Sequence, residues 1–338
     1  GEITRTIQAD ARLHGIWESS HKRAVAAAID TLSENGIASV ISKGTALAYC
    51  VFPDPAMRQR GDTDLIICAS DVARTRKVFE DLGWVRGETS SMQENWSYDT
   101  GAGFVHTIDL HWQANASAAT RLLFTPEEAI ARSTSLQRLS QSARALDPAL
   151  LFLAGGLNQV LHAVAGYLVE HETVYGDERL IWSFGNHLQL KAFTDADWNI
   201  LAQEAGKRGA AYLCRTTVEA TRARFGTEVP AHFLAALEGS GTSGDIDAYL
   251  FEQGSFARLA TSLRSAYGLR DLLAILSHNF LMDEIPLRRR YPAMQSYPLA
   301  VLQTRRWLDG VSKLVMPRGK EGFARRISPT DEHGGGHS

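Results

Sequence analysis

At 338 residues the chain is longer than one typical domain, and an apolar share of 44% lets it bury a sizeable core. Its formal net charge of −3 argues against a dedicated nucleic-acid binder, which carries a basic excess, so no nucleic-acid partner is expected. Three widely spaced cysteines, Cys50, Cys68 and Cys214, form neither a disulfide framework nor a zinc motif and are expected to pack as small apolar residues.

Residues 10 to 34 are expected to form a helix. Trp17, Val25, Ala28, Ile29 and Leu32 recur at helical spacing, and Asn35-Gly36 ends the run. Ile37 to Ser42 reads as a short buried strand, Gly44 breaks it, and Thr45 to Val51 resumes as a short helix. Pro53-Asp54-Pro55 then forces a loop. Thr63 to Cys68 reads as a second strand. Asp71 to Leu82 follows as a helix, capped by Ser70 or Asp71 and stopped at Gly83. Met92 to Tyr98 and Phe104 to Trp112 have strand character, and Asp99 to Gly103 between them has hairpin chemistry.

After Gln113 the sequence predicts no further strand. Pro126 starts a helix behind Thr125, and Asp147-Pro148 opens a long apolar one. That segment, Ala149 to Val169, is long enough to span a bilayer, but Asn158, Gln159 and His162 interrupt it. A buried helix is expected, with no membrane partner. Arg179 to Ala192, a helix capped by Thr194 with Asp197 three residues on, Ala210 to Phe225 and Pro230 to Leu237 continue the helical pattern. Residues 239 to 244 read as a surface loop and Leu269 to Met282 as core. The tail from Ser328 has nothing to bury. No basic, apolar leader opens the chain, so a cytoplasmic location is expected.

The fold class that follows is α+β. A small mixed β-sheet domain with flanking helices covers 1–125, an all-helical domain covers 126–327, and 328–338 is a disordered tail.

The chemistry concentrates between Ile41 and Asp64. Successive side chains on a strand point to opposite faces, so Asp62 and Asp64 project the same way if the strand begins near Asp62. On the later strand Val105, Thr107, Asp109 and His111 share one face. If the two strands are neighbours, three carboxylates converge, and like charges that close conflict unless a cation joins them. Oxygen ligands suit Mg²⁺ or Mn²⁺. Gly44 lets the backbone approach a phosphate, and Thr45 opens a helix whose free N–H groups favour an anion. Lys43 and Arg58 could add charge to a triphosphate.

Gly44-Thr45, Asp62-x-Asp64 and the later strand acid Asp109 resemble the nucleotidyltransferase superfamily that includes DNA polymerase beta. The stretch KGTALAYCVFPDPAMRQRGDTDLII, with IDLHW, is similar to a bacterial branch of uncharacterised nucleotidyltransferases. Lys43, Gly44, Pro53, Asp54, Pro55, Arg58, Gly61, Asp62, Asp64, Asp109, His111 and Trp112 fit that branch. The resemblance implies two Mg²⁺ ions bound through Asp62 and Asp64, with Asp109 sharing a metal and helping to deprotonate the acceptor. It implies an NTP substrate, ATP being the expected one, with Lys43, Gly44, Thr45 and Arg58 at the nucleotide. The acceptor is a hydroxyl or phosphate on a small molecule, peptide or protein, and the helical domain forms its side of the cleft. Thr45 stands where the superfamily usually has Ser or Gly. Where the branch often carries an Asp soon after a Trp of the helical part, this chain reads Ser183-Phe184-Gly185-Asn186. That departure motivates the alternative of a catalytically inactive nucleotide-binding regulator. A γ-phosphotransferase is a third reading.

Overall fold

The computed structural model describes residues 1–89, 92–115, 117–165, 167–169, 172–174, 179–238, 244–251, 255–266, 268–269, 272–273, 275 and 284–315. The chain opens with helix α1 (Glu2–Glu34), strand β1 (Ser39–Ser42), helix α2 (Lys43–Cys50), strand β2 (Thr63–Ile67) and helix α3 (Val72–Asp81). Strands β3 (Val85–Thr89), β4 (Gln93–Asp99) and β5 (Val105–His111) follow, then helix α4 (Pro126–Arg132) and two short strands, β6 (Thr134–Ser135) and β7 (Arg144–Ala145). All seven strands join one mixed sheet in the order β3-β4-β5-β2-β1-β7-β6. β2 runs parallel to β5 and antiparallel to β1, and β4–β5 is the expected hairpin, closed by the pair Asp99 and Val105.

Helix α1 lies against β1, β5 and α3. Val25, Ala28, Ile29 and Leu32 are fully buried, as their spacing requires. The helix begins eight residues earlier than the sequence suggests. Ile3 and Ile7 remain exposed on that extension, so it shows no buried stripe to reveal it.

The expectation of no strand beyond Gln113 is corrected. β6 and β7 are two residues long, too short for any periodicity, and Ala145 extends the sheet by pairing with Ile41. A separate hairpin, β8 (Tyr167–Val169) and β9 (Glu172–Val174), follows the long apolar helix α5 (Pro148–Ala165). The apolar run expected to be helical to Val169 therefore stops at Ala165, and its last residues are strand. The helix opens at Pro148 as expected, and Asp147 caps it, accepting from the N–H groups of Ala149 and Leu150. Gly156 marks a close crossing, since a Cβ there would lie 2.9 Å from Thr217 Oγ1.

Further helices are α6 (Leu180–Lys191), α7 (Asp195–Lys207), α8 (Ala211–Phe225), α9 (Ala231–Leu237), α10 (Asp245–Phe251), α11 (Ser255–Arg264), α12 (Glu284–Arg290) and α13 (Leu299–Val315). Thr194 and Asp197 form the reciprocal cap at α7 that the sequence indicates. The first turn of α8 is capped from a distance: Asp247, on α10, accepts from the N–H groups of Tyr212 (2.8 Å) and Leu213 (2.9 Å).

Two compact units result. One is Gly1–Ala116 with Thr120–Glu252; the other is Ser117–Ala119 with Gln253–Ser338. The division expected after residue 125 falls inside the first unit, where α4 packs on β1 and β2 and α5 packs on α2. The loop at 239–243, most of Leu269–Met282 and the tail lie outside the described residues. Within the second of these, Leu269 and Leu273 are described and exposed, at 72% and 57%, contrary to the expected core role. Of the cysteines only Cys214 is buried; Cys50 is exposed and Cys68 intermediate. No helix among the described residues is long and apolar enough to cross a membrane.

Candidate active site

Strand pairing assembles the site. Ser42, Asp64, Asp109 and Asn95 are successive cross-strand partners on β1, β2, β5 and β4, one transverse row of the sheet. Asp64 and Asp109 are thus direct neighbours although 45 positions apart in the chain. Two carboxylates facing each other across a ladder repel, and the surrounding groups answer that repulsion. Lys43 Nζ donates to Asp64 Oδ1 at 2.5 Å, and His111 Nε2 lies 3.0 Å from the same oxygen. Asn95 Nδ2 donates to Asp109 Oδ1 at 2.8 Å.

The charges shift accordingly. Burial pushes the Asp64 carboxyl up, but Lys43 and His111 together hold it well below the usual carboxylate range. Burial, then Asp64, raises Asp109. Lys43 is pulled down by burial and raised more strongly by Asp64, Asp62 and Asp109.

Asp62 precedes β2 and its residue surface is exposed. Burial of its carboxyl group, followed by the charges of Asp64 and Asp109, raises it to about 7. The expected trio of acids is therefore assembled unevenly. Among the described residues, Asp64, Asp109 and His111 form a cluster whose ligand atoms all lie within 4.8 Å of one another. Its donor chemistry, two carboxylates and one imidazole nitrogen, suits a divalent cation.

The helix after β1 begins at Lys43, two residues before the expected start at Thr45, so Gly44 lies within it. Its left-handed residue is Lys43, with φ of 51°, whereas Gly44 keeps negative φ. For a residue with a side chain that conformation costs about 1 kcal/mol or more, and it directs the chain from β1 into α2. Gly44 instead faces two guanidinium side chains: a Cβ there would lie 3.7 Å from Arg60 Cβ and 3.8 Å from Arg58 Nη2. The Thr45 hydroxyl, expected to face a phosphate, is fully buried. It bonds Thr63 Oγ1 (3.0 Å) and the Asp62 carbonyl (3.2 Å), and accepts from Arg60 Nε (3.1 Å). Its role is to tie α2 to the segment that carries Asp62.

Arg58 is 5% exposed and lies between Gly44 and Gly185 of α6. Nη1 donates to the Gln59 carbonyl at 2.8 Å, whereas Nε has no partner. Burial lowers its pKa to about 10, Arg60 and Arg179 add repulsion, and Asp62 partly offsets it. A buried guanidinium with an unused donor beside a helix start is chemically fitted to an anion.

Several contributors carry no sequence signal. Arg60 is nearly enclosed; it pairs with Glu18 at 2.8 Å and approaches His21 Nδ1 at 3.2 Å, while His21 Nε2 shares a 2.9 Å hydrogen bond with Thr63. Glu18 also accepts from the Tyr49 hydroxyl. This network fixes α1, α2 and the start of β2 relative to one another. On α5 and α6, the His162 ring lies 5.3 Å from Trp182, and the Arg179 guanidinium stands 5.4 Å over the same indole. Burial, then Lys43 and Arg179, lowers His162, and Asp64 partly offsets them. A recess beside the cluster is lined by Ser42, Lys43, Ile66, His111, Leu157 and Asn158, among others.

Comparison with known proteins bears on this arrangement. No curated protein matches the chain. Among solved structures, the antibiotic-resistance factor ANT(2'')-Ia is similar at 12% identity and a TM-score of 0.37, over 57% of this chain and 95% of that one. A family model described as uncharacterised nucleotidyltransferase matches residues 2–226, which include the whole of the sheet, the acid cluster, and α5 and α6. The chain belongs to this family of nucleotidyltransferases.

Proposed function

We propose that the protein transfers a nucleoside monophosphate from an NTP to a hydroxyl or phosphate acceptor, with release of pyrophosphate. The observation that carries this reading is the pairing of Asp64 with Asp109 on adjacent strands, directly beside the Lys43-Gly44 turn and buried Arg58. Asp62, Asp64 and Asp109 would hold one or two divalent ions, Mg²⁺ or Mn²⁺. Such ions, when bound, polarise the α-phosphate and stabilise the charge that develops on the leaving oxygen.

The chain's own residues supply the remainder. The backbone N–H groups at the start of α2 and the Arg58 guanidinium bind the triphosphate, and Lys43 adds charge. Asp109 takes the proton of the acceptor hydroxyl as its oxygen attacks the α-phosphorus. The bond from that phosphorus to the bridging oxygen breaks, and pyrophosphate leaves with the electron pair. Asn95 keeps the Asp109 carboxyl oriented. ATP is the first NTP to test. The acceptor is a small molecule, peptide or protein, chosen by the helical part that follows residue 126.

Incubation with α-labelled NTPs, divalent metal and candidate acceptors tests the assignment. Label should reach the acceptor in the native protein and be lost in Asp64→Ala; label persisting in that variant rejects it. Binding of NTP without any pyrophosphate release would favour the inactive regulator. Transfer of label from γ-labelled ATP, but not α-labelled ATP, would favour the phosphotransferase.

A further inference from the structure

We propose that His111 is a direct metal ligand through Nε2, so that the ion held by Asp64 and Asp109 sits in a mixed nitrogen–oxygen site that selects Mn²⁺ over Mg²⁺. The proposal deepens the functional reading above and rests on it only for the presence of a divalent ion.

Topology brings the imidazole there. Asp109 and His111 are two apart on β5 and share its site face, and Asp64 is the cross-strand partner of Asp109. The three donor groups converge within 4.8 Å. Ligands about 2.1 Å from a common ion, at right angles, lie about 3 Å from each other. The 3.0 Å separation of His111 Nε2 from Asp64 Oδ1 fits two neighbouring ligands of one ion. Asp62, ahead of the strand, stands outside this cluster and is left for a second ion or for the nucleotide side.

Donor chemistry then sets the preference. Mg²⁺ demands oxygen ligands in a near-ideal octahedron, whereas first-row transition ions accept imidazole readily. One nitrogen among two carboxylates tilts the site toward Mn²⁺ without excluding Mg²⁺. Lys43 must cooperate: its ammonium holds the same Asp64 oxygen at 2.5 Å, so an ion on that oxygen displaces it toward the triphosphate. The competing role for His111 is a simple hydrogen-bond donor that orients Asp64. In that role Nε2 keeps its proton; as a ligand Nε2 must be bare.

Electron spin-echo spectroscopy of Mn²⁺ bound to the full chain separates the two, with no nucleotide or turnover needed. The native protein should show nitrogen coupling to the manganese, changed in the expected way by ¹⁵N-histidine labelling and absent in His111→Ala. Calorimetry should show the Mn²⁺ to Mg²⁺ affinity ratio falling about tenfold in His111→Ala and staying high in Asp62→Asn. Manganese bound through Asp64 but without nitrogen coupling, or with coupling that survives His111→Ala, overturns the proposal and leaves the nucleotidyl-transfer reading standing. No manganese binding to the native protein overturns the proposal, and transfer of α-label assayed with Mg²⁺ alone then decides the wider reading separately. The labelling arm uses the unaltered sequence and so reads histidine ligation free of any folding defect, while His111→Ala, checked for native far-UV circular dichroism, assigns it to this residue.

Discussion

Lys43 Nζ and Asp64 Oδ1 are 2.5 Å apart, joining the left-handed residue of one turn to the central acid of the neighbouring strand. This contact makes the lysine a competitor of any cation at Asp64. Lys43→Met should bind Mn²⁺ alone more tightly than the native protein by several-fold, because the ammonium no longer has to be displaced. The same variant should bind NTP more weakly, by about tenfold for one lost charged contact of roughly 1.4 kcal/mol. Calorimetry with metal alone and then with nucleotide reads the opposite signs; equal effects in both titrations would contradict the two-station role.

Asp109→Asn removes the group assigned to the proton while keeping the size of the side chain. Transfer should fall by about 10²- to 10⁴-fold, the range for loss of a general base, with nucleotide binding largely kept. Asn95→Ala leaves the carboxylate but removes the 2.8 Å bond that orients it, and a smaller loss is expected. Steady-state rates with saturating NTP check both.

Arg60 and Glu18 form an enclosed pair, with side chains 3% and 9% exposed. Arg60→Met leaves the Glu18 carboxylate with the Tyr49 hydroxyl but without its charge partner, and removes the guanidinium donor to Thr45. A loss of about 3 kcal/mol of stability is expected from breaking a buried pair on one side. Urea unfolding measures it. Replacing both, as Arg60→Met with Glu18→Gln, should recover part of that loss.

Asp247 supplies the cap of α8 from outside that helix, and Asp247→Ala should cost about 1–2 kcal/mol. Its pH behaviour has a definite sign. Burial raises the carboxyl to about 6 despite the N–H groups of Leu213 and Tyr212, above the ordinary value near 4. The folded state therefore holds the proton longer than the unfolded chain. The stability linked to that proton is complete below about pH 4 and is lost as pH rises through about 6. Asp247→Asn, which keeps an acceptor and loses the charge, should gain on the native protein between pH 4 and pH 7. Urea midpoints across that range test the trend.

Gly156 is held to glycine by contact: a Cβ would lie 2.9 Å from Thr217 Oγ1. Gly156→Val should destabilise by about 1–3 kcal/mol through overpacking between α5 and α8, read as a lowered thermal midpoint. Gly206, where an added Cβ would meet nothing within 4 Å, is the control.

Much of the catalytic half was legible because its signals are local. Alternation on β5 assigned Asp109 and His111 to one face, and the hairpin chemistry at 99–103 gave the β4–β5 pairing. Thr125, Asp147 and Thr194 announced their helices through caps that the structure contains. What escaped depends on partners distant in the chain. Nothing near Arg60 tells that it meets Glu18, and nothing near Asn95 tells that it serves Asp109. The inward turn of the Thr45 hydroxyl follows from Thr63 and Arg60 crowding around it. The left-handed backbone at Lys43, which no local residue pattern marks, could be found only in three dimensions. β6 and β7 are too short to have a pattern at all.

β2 and β5 are interior strands of the sheet, each bonded on both edges. An insertion or deletion that slid β5 by one position along β2 would swing Asp109 to the far side and set Ile108 or Leu110 against Asp64. The loop between Thr100 and Phe104 sets the β4–β5 register, and both its length and its composition are constrained, because Gly101 and Gly103 hold positive φ of 68° and 85°. Relatives whose hairpin differs there by a single residue should either show a compensating bulge or have lost the activity.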